Sequence, residues 1–159
     1  MAKGNGIIVS MEPRGVFHEG YVSGTPKPGT IMQIQAGTAM DGTGRFTWEA
    51  YNADADGDQR LIAILLHDKL QGKLVTDAYA TGDRCRLYCP LPGEEVNVLK
   101  GDVSGTADDF TVGLLLMVDD GTGKVVATTG TPEAEPFICL EAITNPTADQ
   151  LVWCMFTGQ

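Results

Sequence analysis

Arg84-Cys85-Arg86-Leu87-Tyr88-Cys89 decides the fold class. Cys85, Leu87 and Cys89 point one way and Arg84 and Arg86 the other, the two-residue period of a strand with one face on a core. Phe46-Thr47-Trp48-Glu49-Ala50-Tyr51 repeats the pattern, with Phe46, Trp48 and Ala50 opposite Thr47, Glu49 and Tyr51. Further strand candidates are Ile31–Gln35, Leu61–Leu66, Val96–Leu99, Val112–Val118, Lys124–Thr128, Phe137–Ala142 and Leu151–Phe156. Leu114 to Val118 is apolar on both faces, which fits a strand at the centre of a sandwich or barrel. Over Arg60–Leu70 a helix competes, because Leu61, Ile62, Leu65, Leu66 and Leu70 also form a stripe at helical spacing. Many short strands with regular turns predict an all-β chain, a single-domain β-sandwich or partly open barrel.

The turns agree. Asp41-Gly-Thr-Gly44 before Arg45 and Asp120-Gly-Thr-Gly123 before Lys124 use one device twice, and Asp-Gly is favoured where hairpin residues need positive φ. Pro92-Gly93 suits a type II turn. Ahead of it, Pro90 lacks the amide that would continue a ladder.

Residues 1–30 read differently. Gly4, Gly6, Pro13, Gly15, Gly20, Gly24, Pro26, Pro28 and Gly29 interrupt any period, leaving Ile7-Ile8-Val9 and Val16-Phe17 as isolated apolar spots. This composition fits an extended N-terminal arm or edge segment that packs on a neighbouring subunit, ahead of a β domain over residues 31–159. It fits equally a long loop covering its own domain.

A length of 159 residues suits one domain with a real core. Twenty glycines are nearly twice the usual share of about 7% and, with eight prolines, favour turns over long helices. Eleven basic and 21 acidic side chains leave a net charge of −10, which repels phosphate backbones and anionic lipid. Neither nucleic acid nor a membrane is therefore an expected partner. A hydrophobic content of 43% is too high for a disordered acidic chain. Ile7-Ile8-Val9 is shorter than an export signal's apolar region of about 7–15 residues, so a reducing compartment is expected. There Cys85, Cys89, Cys139 and Cys154 are small buried thiols.

Motifs for chemistry are weak. Asp54-Ala55-Asp56-Gly57-Asp58 clusters carboxylates, but its Gly is fourth rather than sixth and its twelfth position is Leu65, unlike a helix-loop-helix calcium site. Gly121-Thr-Gly-Lys124 lacks the glycine and the Ser or Thr of a phosphate loop, and Asp119 and Asp120 would repel phosphate. Cys85 and Cys89 have neither a second pair nor a nearby His, so zinc is not expected. His18 and His67 have no adjacent nucleophile. The expectation is a protein without catalytic residues, metal or cofactor.

Between Leu61 and Leu99, about a quarter of the chain, a family pattern emerges. Leu70-Gln-Gly-Lys73, Thr76-Asp-Ala-Tyr79, Thr81-Gly-Asp-Arg84 and Tyr88-Cys-Pro-Leu-Pro-Gly-Glu-Glu-Val-Asn-Val-Leu99 together resemble the capsid decoration (cement) proteins of tailed bacteriophages. The shared elements are a Gly-Asp turn feeding a strand, then a Pro-Gly-Glu-Glu turn before a strand bearing Asn and aliphatics. That resemblance implies a virion structural protein that trimerises on the outer capsid surface and clamps adjacent major capsid subunits, after assembly in the host cytoplasm. Under it, Ile7, Ile8, Val9, Val16 and Phe17 are the expected capsid contacts. The turn Pro90, Leu91, Pro92, Gly93, Glu94 and Glu95 is the expected contact between copies. Another virion β module, such as a head-fibre, tail or carbohydrate-binding component, fits the same features.

Overall fold

The computed structural model describes residues 6–9, 13–52, 62–68, 74–101, 109–119, 121–127, 136–144 and 149–158. Ten strands and no helix are found among them. In chain order they are β1 (Val16–Val22), β2 (Ile31–Ile34), β3 (Phe46–Ala50), β4 (Ala63–Leu65), β5 (Arg84–Cys89), β6 (Glu95–Leu99), β7 (Leu115–Asp119), β8 (Lys124–Ala127), β9 (Phe137–Cys139) and β10 (Leu151–Phe156). The all-β expectation holds, in the form of a closed five-stranded barrel joined to a second five-stranded sheet.

The barrel runs β1-β3-β2-β4-β5, antiparallel except where β1 pairs parallel with β3. Val22, Met32, Trp48, Ala63, Leu65, Tyr79, Cys85 and Leu87 fill it. Residues 16–22 belong to this barrel, which corrects their assignment to an arm. The prolines and glycines around them concealed a strand whose inward positions include Gly20. A side chain there is impossible, because a Cβ on Gly20 would stand 2.4 Å from Trp48 Cδ1 and 2.6 Å from the Phe46 carbonyl oxygen. A bare backbone on β1 thus makes room for the indole of β3. The Arg60–Leu70 ambiguity also resolves. Ala63, Ile64 and Leu65 are extended and buried on both faces, since Ile64 faces the second sheet while its neighbours face the barrel interior.

The second sheet runs β6-β10-β9-β7-β8 with every neighbour antiparallel. Its inner face joins Ile31, Ile64 and Tyr88 from the barrel wall in one larger core with Val96, Val98, Leu116, Val118, Phe137 and Val152. Both edges are covered. Asn97 N donates to the Ile7 carbonyl at 2.7 Å and Val9 N to the Glu95 carbonyl at 3.0 Å, so residues 7–9 shield β6. Past the end of β6, Lys100 bridges Val125 of β8. Covered edges cannot template pairing with other chains.

Leu114 to Val118 departs from its expected setting. Leu116 and Val118 are buried, but Leu115 and Met117 on the opposite face of β7 are 42% and 37% exposed. Apolar character on both faces marks here an uncovered sheet face, not a central strand.

Candidate functional site

The two segments singled out in the sequence meet at one seam. β1 pairs antiparallel with β5, placing Val16 opposite Cys89 and Phe17 opposite Tyr88. The strand therefore begins beside the Pro90–Glu95 turn that ends β5. Phe17 and Tyr88 rings lie 5.0 Å apart between centroids, tilted by 47°, and the Arg86 guanidinium sits 5.8 Å from the Phe17 centroid.

Glu94 holds the seam. Its side chain is buried, and its carboxylate accepts from the Tyr88 hydroxyl at 2.6 Å, the Leu91 amide at 2.7 Å, the Gly15 amide at 3.3 Å and the Arg14 amide. Gly15 N also donates to the Tyr88 hydroxyl oxygen at 3.0 Å. One carboxylate therefore ties the start of β1 to the turn. Burial pushes the Glu94 carboxyl up, but the hydrogen bonds from Tyr88, Arg14, Leu91 and Gly15 outweigh it and hold the group below its ordinary value. The Tyr88 hydroxyl is pushed up to about 12, first by burial and then by its bond to Glu94. Gly15 is needed for close approach, since a Cβ would stand 2.2 Å from the Cys89 carbonyl oxygen.

Around this buried anchor the surface is apolar. Val16 is 55% exposed, Phe17 47% and Leu91 43%. Pro92 and Gly93 are exposed with Leu91, whereas Pro90 and Glu94 are buried and Glu95 half-buried. The far side of the turn is fixed to β10, because Gly93 N donates to the Phe156 carbonyl at 2.8 Å and Phe156 N to the Glu94 carbonyl at 2.9 Å. Glu95 accepts from the Trp153 indole at 3.1 Å.

The other expected contacts lie elsewhere. Ile7 is buried in the larger core, Ile8 bridges Val96 and packs against that core, and Val9 is half-buried. These three cover the chain's own β6 and offer no outward anchor. In their place the structure exposes a surface that sequence reasoning missed. Met155 is opposite Glu95 on one side and Ile138 on the other, and Ile138 is opposite Leu115. Directly opposed residues share a face, so an apolar row leads from the Pro90–Glu95 turn across the solvent side to Leu115, with Met117 two residues along. The signal was the doubly apolar run at Leu114 to Val118.

Gly121-Thr-Gly-Lys124 is a hairpin, with Asp119 opposite Lys124 and Gly123 N donating to the Asp119 carbonyl at 3.1 Å. Lys124 and Lys27 both pair with Asp149, at 2.6 and 2.9 Å, on the wall of a cleft of about 330 Å³ between barrel and sheet. Asp54 to Asp58 lies outside the described residues. Among the described residues, no three His, Cys, Asp or Glu side chains come together as metal ligands.

No protein-family model matches this chain, and no curated protein matches its sequence. Among solved structures, it is similar to the N base of the head fibre gp8.5 of bacteriophage phi29. That match has a TM-score of 0.53 and 12% sequence identity, covering 91% of this chain and 95% of the other. At such identity the likeness is one of fold.

Proposed function

We propose that this chain is a structural protein of a bacteriophage virion, docked on the outer surface of the head. The observation that carries this reading is the shared fold with a head-fibre base, which spans nearly the whole of both chains. Two features support it. The net charge of −10 disfavours packaged DNA as a partner and leaves protein surfaces as the natural one. The apolar seam of Val16, Phe17 and Leu91 interrupts that acidic surface, and exposed apolar patches mark interaction sites.

In the finer reading, the seam binds the major capsid protein and the chain cements adjacent capsid subunits, with copies of itself meeting at the Pro90–Glu95 turn in a trimer. Each contact can be modest, about 800 Å² per partner, because several contacts engage together and raise the effective concentration. Rigid anchoring by Glu94 lowers the ordering cost of binding. The work performed is adhesion, with no reaction. A second reading, favoured by the structural neighbour, makes the chain the base that anchors a projecting head fibre.

One experiment tests both. Purified protein is mixed at micromolar concentration with phage heads that lack it, and co-sedimentation, disruption temperature and cryo-microscopy density are recorded. Binding with a raised disruption temperature and density bridging neighbouring subunits supports cementing. Binding at one site per projecting fibre, with no change in disruption temperature, supports the fibre base. Absence of binding overturns both.

A further inference from the structure

Cys139 and Cys154 stand directly opposite each other where the β9–β10 ladder ends. Leu140 N donates to the Trp153 carbonyl at 2.9 Å and Thr157 N to the Pro136 carbonyl at 2.8 Å, which makes 140/153 and 136/157 hydrogen-bonded rungs. Such rungs alternate with non-hydrogen-bonded ones in an antiparallel ladder. The pair 139/154 is therefore of the second kind, where Cα atoms lie about 4.5 Å apart and side chains come closest. A disulfide spans Cα separations of about 4.4–6.8 Å. Both side chains are buried on the same inner face, in the larger core. All four cysteines are thiols, and Cys139 Sγ donates to the Glu141 carbonyl at 3.0 Å.

We propose that Cys139 and Cys154 form a modification site, a dithiol that closes to a cross-strand disulfide when the protein passes from a reducing to an oxidising environment. The inference rests on the β9–β10 register and is independent of the function proposed above. With glutathione disulfide as oxidant, the thiolate of one cysteine attacks a sulfur of the oxidant and expels one glutathione thiolate. The thiolate of the other cysteine then attacks the protein sulfur of the mixed disulfide and expels the second. One protein S–S bond forms as the oxidant's S–S bond breaks. Two electrons pass to the oxidant, and the two thiol protons end on the two glutathiones.

Entry of the oxidant needs only local opening. Cys139 is the last residue of the three-residue β9, and beyond it Trp153 N donates to the Glu141 carboxylate at 2.7 Å. Fraying of terminal rungs costs less than global unfolding. Cys85 and Cys89 do not compete as a pair. They lie four residues apart on one barrel strand, roughly 13 Å along it, beyond disulfide reach.

The full chain, reduced and then equilibrated in oxidised glutathione, is unfolded in an alkylating reagent and analysed by intact mass and peptide mapping. A parallel sample is refolded from denaturant in the same buffer, which removes any barrier of access. The expected result is a fall from four alkylatable thiols to two, a peptide link between Cys139 and Cys154, and a Tm several degrees higher that dithiothreitol reverses. In Cys139→Ala, oxidant is expected to leave the Tm unchanged. Four thiols remaining after oxidative refolding would overturn the proposal, as would a link to Cys85 or Cys89, or glutathione retained on one cysteine without ring closure.

Discussion

The Tyr88 hydroxyl donates to the Glu94 carboxylate at 2.6 Å, and the same carboxylate takes the Gly15 and Leu91 amides. Two segments more than seventy residues apart in sequence are thus held by one buried acid. Its donors include no cation, so the charge is stabilised by dipoles alone. Removal of any one donor leaves the others in place, whereas removal of the acid orphans all of them.

Tyr88→Phe is expected to cost about 1.5–3 kcal/mol, the range for a hydrogen bond to a charged group. Glu94→Gln is expected to cost about 3 kcal/mol, because an amide nitrogen would face backbone N–H donors. Urea denaturation of the two single variants and the double variant measures the coupling, expected to be at least about 1 kcal/mol. Additivity within experimental error would mean that the bond contributes nothing specific.

Acid should loosen the seam. The folded Glu94 carboxyl lies below its ordinary value of 4.5, so its stabilisation is present above that value and is lost as pH falls through the lower folded value. Asp149, held low by hydrogen bonds from Lys124 and then Lys27, adds to the same acid limb. The difference between wild type and Glu94→Gln therefore isolates Glu94. Stability measured from pH 6 to pH 2 should converge for the two proteins at the acid end, and parallel curves would refute the assignment.

At the seam surface, Phe17→Ser combined with Leu91→Ser should leave the fold nearly intact. Exposed positions are tolerant, and only the Phe17–Tyr88 ring contact, about 0.5–1.5 kcal/mol, is lost. Head binding should nevertheless fall more than about tenfold, since buried aromatic anchors dominate interfaces. Undiminished binding by a folded double variant would move the contact elsewhere, with the row of Met155, Ile138 and Leu115 as the next surface to substitute.

Gly20→Ala tests the barrel. The new methyl would meet the Trp48 ring and the Phe46 carbonyl, and the expected loss is about 1–3 kcal/mol or more, as for overpacking. A shifted indole emission should accompany it, because Trp48 is the side chain that must move. Unchanged stability and emission would show that the barrel interior has slack.

The chemistry of individual strands was readable without coordinates. Alternation in Arg84–Cys89, the turn formers at Asp41-Gly and Pro92-Gly93, and the final Leu151–Phe156 run each follow from short-range sterics and side-chain polarity, and each appears as a strand or turn. Half of the seam was visible too, since Val16, Phe17 and Leu91 stood out as apolar spots. What the chain order could not reveal is who covers whom. Ile7 and Phe17 look alike as isolated apolar residues, yet one is sealed under β6 and the other lies open beside Tyr88. Burial depends on contacts between residues far apart in sequence, such as Gly20 with Trp48, Gly15 with Glu94, and Cys139 with Cys154. Local patterning sets which faces seek a partner, while closure of the barrel and stacking of the second sheet choose which of them find one.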